Sequence, residues 1–106
     1  MDIEKYTVII TPTAYREINR IYEYLEFEFY AENATKELMK NIEEKIQQLK
    51  EMPKIYPKIE ISNELQREYR RIIVNNYIIL YTIEEDNKRV FISHMYYRRK
   101  NYFDNK

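Results

Sequence analysis

The chain has no glycine, no cysteine and no tryptophan, and only one histidine and three prolines in 106 residues. Average usage of about 7% would supply roughly seven glycines. Without any, the Gly-rich loops that cradle phosphates in P-loop and dinucleotide-binding enzymes cannot be built. Zero cysteines exclude a disulfide framework and a thiolate metal site. A single histidine excludes a multi-His metal centre, and no carboxylates sit at helical ligand spacing to compensate. Neither metal nor cofactor is expected. No apolar run approaches the roughly 20 residues of a membrane span, and Met1-Asp2-Ile3-Glu4-Lys5 lacks the apolar stretch of a signal peptide. The expected location is the cytoplasm.

What the chain does have is segregated charge and many aromatics. Its 18 bases and 18 acids balance, but from Glu17 to Glu60 ten acids face seven bases, whereas His94 to Tyr102 holds three bases and no acid. Twelve tyrosines are present, several of them clustered with those late cations. Cations and ring faces on one sheet suit an anionic, stackable partner: RNA, DNA or an acidic protein segment.

The length fits one compact domain, 1–106. Tyr6, Val8 and Ile10 alternate as a short strand. Thr11-Pro12 ends it and starts a helix, because threonine accepts free N–H groups and proline at the first helical position has no N–H to satisfy. Ala14, Ile18, Ile21, Leu25 and Phe29 make one apolar stripe, and Glu23, Glu26, Glu28 and Glu32 a solvated face. Glu32-Asn33 predicts a capped break, followed by a helix from about Ala34 to Met52 with Ala34, Leu38, Ile42, Ile46 and Leu49 inward. Pro53 stops that helix, and the proline spacing in Lys54–Ile59 argues against a strand there. Tyr69–Val74, Tyr77–Ile83 and Arg89–Tyr96 then read as strands, joined by a tight Asn75-Asn76 turn and a longer charged one. The expected class is α+β: an N-terminal strand, two antiparallel helices, then a three-stranded antiparallel meander, with the helices on one face of the sheet.

This order, with Glu68-Tyr69-Arg70-Arg71-Ile72-Ile73-Val74-Asn75-Asn76-Tyr77 and the terminal Tyr97-Arg98-Arg99-Lys100-Asn101-Tyr102, resembles the RelE/ParE toxin superfamily. The resemblance covers nearly the whole chain. It implies the toxin of a type II toxin–antitoxin pair, of the kind associated with plasmid stabilization, assembled as a hetero-oligomer with a cognate antitoxin. The RelE branch of that superfamily cleaves messenger RNA on the ribosome; the ParE branch poisons DNA gyrase. A non-toxic RNA- or protein-binding module of the same fold is a third reading.

Metal-free RNA cleavage needs a group to take the ribose 2′ proton, cations on the phosphorane-like transition state and a donor to the leaving oxygen. By resemblance, Arg71 matches a basic site residue of the ribonuclease branch and Arg99 the arginine after the last strand. Tyr97 or Tyr102 would stack a base or move a proton. Arg71, Arg99 and Tyr97 are the expected catalytic set, with Arg67, Arg70, Arg98, Lys100 and Tyr102 binding RNA. Two positions depart from the pattern: Tyr69 falls where the ribonucleases carry a lysine, and Ile78 where they carry an arginine. His94 shares strand parity with Val90 and Ile92, so alternation predicts a side chain turned toward the helices in a structural role.

Overall fold

The structure, a computed structural model, describes residues 5–28, 32–59 and 68–98. Strand β1 (Thr7–Ile10) leads into helix α1 (Pro12–Glu23), a five-residue π-helical segment (Tyr24–Glu28) and helix α2 (Glu32–Glu51). Strands β2 (Lys58–Ile59), β3 (Tyr69–Val74), β4 (Tyr77–Glu84) and β5 (Arg89–Tyr97) follow. They form one five-stranded sheet in the order β1-β5-β4-β3-β2. The α+β arrangement read from the sequence is the one observed, with the N-terminal strand lying parallel beside the last one.

Local chemistry accounts for most boundaries. Thr11 is extended (φ −66°, ψ 158°) and its Oγ1 accepts from the Ala14 N–H at 3.2 Å, while Pro12 takes the first turn of α1. Asn75, at φ 52°, supplies the left-handed residue of the β3–β4 turn, and the Asn41 amide of α2 donates to its side-chain oxygen at 2.9 Å. Asparagine tolerates that region better than most side chains. Lys88 takes the equivalent role in the β4–β5 turn at φ 53°. The acidic residues Glu23, Glu26, Glu28 and Glu32 are exposed, as a solvated face requires.

The core lies between the helix pair and one sheet face. Ala14, Ile18, Leu38, Ile42 and Leu49 meet Ile72, Val74, Ile79, Tyr81, Val90, Ile92 and Met95. Ile21, Leu25 and Ile46 extend the predicted stripes at the margin; Phe29 lies outside the described residues. Tyr81 is fully buried, and its hydroxyl donates to the Pro53 carbonyl at 2.6 Å. Burial disfavours the charged phenolate, and it pushes that hydroxyl up to about 12.

Four expectations are corrected. Helix α1 does not run regularly to Phe29, because from Tyr24 the hydrogen-bond step widens to a π turn. Helix α2 already includes Glu32, so Asn33 sits within its first turn. Thr35, not Ala34, takes the buried place, being three residues before Leu38 and seven before Ile42 on the inward row. Finally, Lys58–Ile59 does form a strand, pairing antiparallel with Arg70 and Tyr69. It lies at the end of the strand order, and Pro57 stands just before it, where a missing N–H costs no ladder bond.

Candidate functional site

Register decides which side chains share the sheet face turned away from the helices. On β3, Ile72 and Val74 are core residues, so Tyr69, Arg71 and Ile73 point the other way. Cross-strand pairing then lays out rows on this outer face. Ile73 opposes Ile78, which opposes Tyr96; Arg71 opposes Leu80, which opposes His94. Farther along, Thr82 opposes Phe91 and Glu84 opposes Arg89.

Ile78 and Leu80 are 5% and 7% exposed, although neither belongs to the core under the helices. Around them the face is open: Ile73 and Tyr96 are each 41% exposed. The centre of this face is therefore an apolar strip in the middle strand, edged by an arginine, an imidazole and tyrosine rings.

His94 reaches this face because β5 carries a bulge. Leu80 pairs with His94 but Tyr81 pairs with Ile92, so Ser93 is an extra residue and alternation changes phase across it. Met95 consequently takes the inward place, 1% exposed, and His94 the outward one. The expectation that His94 faces the helices is overturned by that one residue. A spacing of two between Val90 and Ile92, and three between Ile92 and Met95, is the sequence trace of the bulge.

Beyond the bulge, β5 outruns β1, whose last pair is Ile10 with Ile92. The residues that follow β1 supply the missing partners at this free edge. The Thr11 N–H donates to the Ile92 carbonyl at 3.0 Å, and the Thr11 hydroxyl to the Ser93 carbonyl at 3.4 Å. From α1, Glu17 Oε1 accepts from the Met95 N–H at 3.0 Å and lies 3.4 Å from His94 Nδ1. One carboxylate thus completes the strand edge and lies within ion-pair distance of an imidazole.

The cations have different fates. Arg71 is exposed and its side chain has no ion pair or hydrogen bond among the described residues. Arg70, on the helix side, donates to the Tyr56 carbonyl at 2.7 Å and the Lys54 carbonyl at 3.2 Å, fixing the connector before β2. Arg89 donates to Glu84 at 2.6 Å, and that bond holds the Glu84 carboxyl below its ordinary value. The Arg89 guanidinium also lies over the Phe91 ring, 5.4 Å from its centroid. Lys54 and Lys58 are paired with Glu85 and Glu68. Arg98 is exposed, and its N–H closes the β4–β5 ladder on the Asn76 carbonyl at 2.7 Å. Arg67, Arg99, Lys100 and Tyr102 lie outside the described residues.

Tyr97 belongs to the opposite side from Arg71. It opposes Tyr77 on the helix side of the sheet. The two rings meet edge to face, with centroids 5.6 Å apart and planes at 71°, an arrangement that their quadrupoles favour. Burial, with the neighbouring Tyr97 and Tyr24, raises the Tyr77 hydroxyl. These rings, with Leu25 and Leu38, line an open groove of about 780 Å³ between the helices and the end of the sheet. The sequence-predicted pair Arg71 and Tyr97 is therefore divided between two faces, while His94, expected to be structural, joins Arg71 on the outer one, with Glu17 of α1 beside it at the β5 edge. Among the described residues no grouping of His, Asp and Glu could hold a metal ion, and no helix is long and apolar enough to cross a membrane.

The fold is similar to solved structures of toxin–antitoxin complexes. A chain of the chromosomal ParDE system from P. aeruginosa superposes with a TM-score of 0.63 at 12% identity, over 89% of this chain and 97% of that one. The RelBE2 complex from Mycobacterium tuberculosis gives 0.59 at 20% identity, over 92% and 95%. The archaeal RelE–RelB complex from Pyrococcus horikoshii OT3 gives 0.58 at 15% identity, over 90% and 97%. Identities this low speak for the fold alone. No curated protein matches the sequence significantly. Membership is decided by the sequence family described as the ParE toxin of the type II toxin–antitoxin system parDE, which matches residues 8–102. This chain belongs to that ParE toxin family, and is the toxin of a type II toxin–antitoxin system.

Proposed function

We propose that this toxin arrests growth in the cytoplasm by cutting messenger RNA on the ribosome, using the outer sheet face, and that a cognate antitoxin silences it. The observation that carries the reading is Arg71: an exposed guanidinium without a protein partner among the described residues, set at the edge of an apolar strip. A free guanidinium matches the non-bridging oxygens of a phosphodiester and the extra charge they gain in the transition state. Tyr69, two residues before it on β3, and Tyr96, two strands away on β5, share the outer face with it, and splayed bases stack on such rings. Arg98, with Arg99 and Lys100 next in sequence, adds cationic charge for the RNA backbone.

The antitoxin is the natural occupant of the open aromatic groove around Tyr77 and Tyr97. An amphipathic segment that folds as it binds would cover the groove. The similar solved chains come from complexes with antitoxins.

Induction of the wild type should produce new messenger RNA ends, mapped by primer extension, on ribosome-engaged transcripts. Arg71→Ala should reduce them by on the order of 10²- to 10³-fold, the cost of one transition-state donor. Arrested cells with intact transcripts would sink the proposal. A gyrase-poisoning reading has its own support: Ile78 is buried where the ribonuclease pattern carries arginine, and Arg71 and Tyr97 occupy opposite faces. That outcome would appear as cleaved DNA–gyrase complexes with an SOS response.

A further inference from the structure

We propose that His94 is the proton-transferring residue of the outer face and that Glu17 is its positioning residue. This rests on the RNA-cleavage reading and assigns the role that the reading leaves open, since Tyr97 lies on the other side of the sheet.

Three observations carry it. The first is placement. Arg71, Leu80 and His94 form one cross-strand row, each a direct neighbour of the next. Two such steps leave room between the outer members for about one small anionic group. A phosphodiester reaching between the exposed Arg71 and the part-exposed His94 would meet a guanidinium on one side and an imidazole on the other.

The second is orientation. Nδ1 faces Glu17 Oε1 at 3.4 Å, and that oxygen is itself held by the Met95 N–H at 3.0 Å. The carboxylate is thus fixed by backbone, and a proton drawn to Nδ1 by the carboxylate beside it would leave Nε2 as the basic nitrogen. The His94 side chain is 42% exposed, and Nε2 has no partner among the described residues.

The third is the bulge itself. An unbulged β5 would bury His94 and expose Met95; one extra residue exchanges them, and Thr11 and α1 then cap the edge that results. Bulges of this kind re-aim a side chain.

In the step proposed, Nε2 takes the proton from the ribose 2′-hydroxyl as the O2′–P bond forms and the P–O5′ bond breaks. Arg71 binds the non-bridging oxygens, and the leaving O5′ takes a proton from water. The products are a 2′,3′-cyclic phosphate and a 5′-hydroxyl, with the proton on His94 returned to solvent. No oxidant, metal or further reactant enters.

The test uses the purified full-length chain with ribosome-bound messenger RNA, comparing wild type, His94→Gln, His94→Ala and Glu17→Gln. His94→Gln should keep the wild-type circular dichroism and urea midpoint, bind RNA within about 2-fold, and lose on the order of 10²- to 10⁴-fold in cleavage rate. It should also change the shape of the pH–rate profile, which loss of a purely structural histidine would not do. Added imidazole should restore part of the rate to His94→Ala, a rescue that a purely structural histidine would not show. Glu17→Gln should slow cleavage less than His94→Gln does while leaving RNA binding within about 2-fold. If the wild type cuts and His94→Gln cuts within about 5-fold of it, or imidazole rescues nothing, His94 is not the proton carrier although the ribonuclease reading stands. A wild type that leaves the RNA intact overturns both.

Discussion

Replacing Tyr81 by Phe removes a single oxygen from the centre of the molecule. The Tyr81 hydroxyl bonds the Pro53 carbonyl at 2.6 Å, across 28 positions, tying the middle strand to the turn that ends α2. Both residues are buried, so the variant leaves a carbonyl that water cannot readily reach. An acceptor stranded in this way costs about 1–3 kcal/mol. The ring remains and creates no cavity of the size that makes aromatic-to-Ala changes cost about 3–5 kcal/mol. A loss of about 2 kcal/mol, at about 4–8 °C per kcal/mol for a domain near this length, lowers the thermal midpoint by roughly 8–16 °C. Urea titration followed by circular dichroism should show a lower midpoint with an unchanged slope.

The same bond has an alkaline signature. With the hydroxyl raised from 10.0 to about 12 by burial, the unfolded chain gives up its proton first as pH rises. Its contribution is complete below pH 10 and is lost between pH 10 and about 12. The Phe variant should lack that part of the decline. A change under about 0.5 kcal/mol, with the alkaline decline intact, would refute this account of the anchor, since the stranded carbonyl alone is worth more.

At the opposite end of the pH scale, hydrogen bonds from Lys54 and Tyr6 hold the Glu85 carboxyl down at about 2 against an ordinary 4.5. Its stabilisation is present above pH 4.5 and disappears as pH falls toward 2. Glu85→Gln should flatten the acid limb of the stability curve, and an unchanged limb would exclude this cluster as the source. Arg70→Ala removes the guanidinium nitrogen Nη1 that donates to both carbonyls, at a cost on the order of 1 kcal/mol or more. Amide exchange at Arg71, whose N–H bonds the Pro57 carbonyl at 3.1 Å, should accelerate; protection equal to wild type would show that β2 holds without the Arg70 anchor.

The parts of the fold legible in sequence are those written locally. Thr11-Pro12, Pro53 and Asn75 each signal a boundary through their own backbone chemistry, and the apolar stripes find the core to within one position. Strand β2 escapes because two residues carry no periodicity, and because its ladder is extended by the Arg71 N–H and anchored through Arg70, neither of which is adjacent to it in sequence. Thr35 escapes because a small polar residue beside alanine does not look buried. Arg71 reads as an exposed cation and stands as one; Arg70, its equal by composition, is absorbed by the connector. The face assignment of His94 fails for another reason. Parity propagates along a strand only while the pairing stays in step, and whether it does is settled by β4 and α1 rather than by β5 alone.

That bulge makes β5 two strands in one. Up to Ile92 it is a scaffold piece, judged by how well Val90 and Ile92 fill the space beneath the helices. After Ser93 the same peptide serves both sides in alternate positions, Met95 for the interior and His94 for the exterior, with the order reversed from what precedes. A substitution along this strand therefore alters one face, whereas losing one residue here inverts both at once.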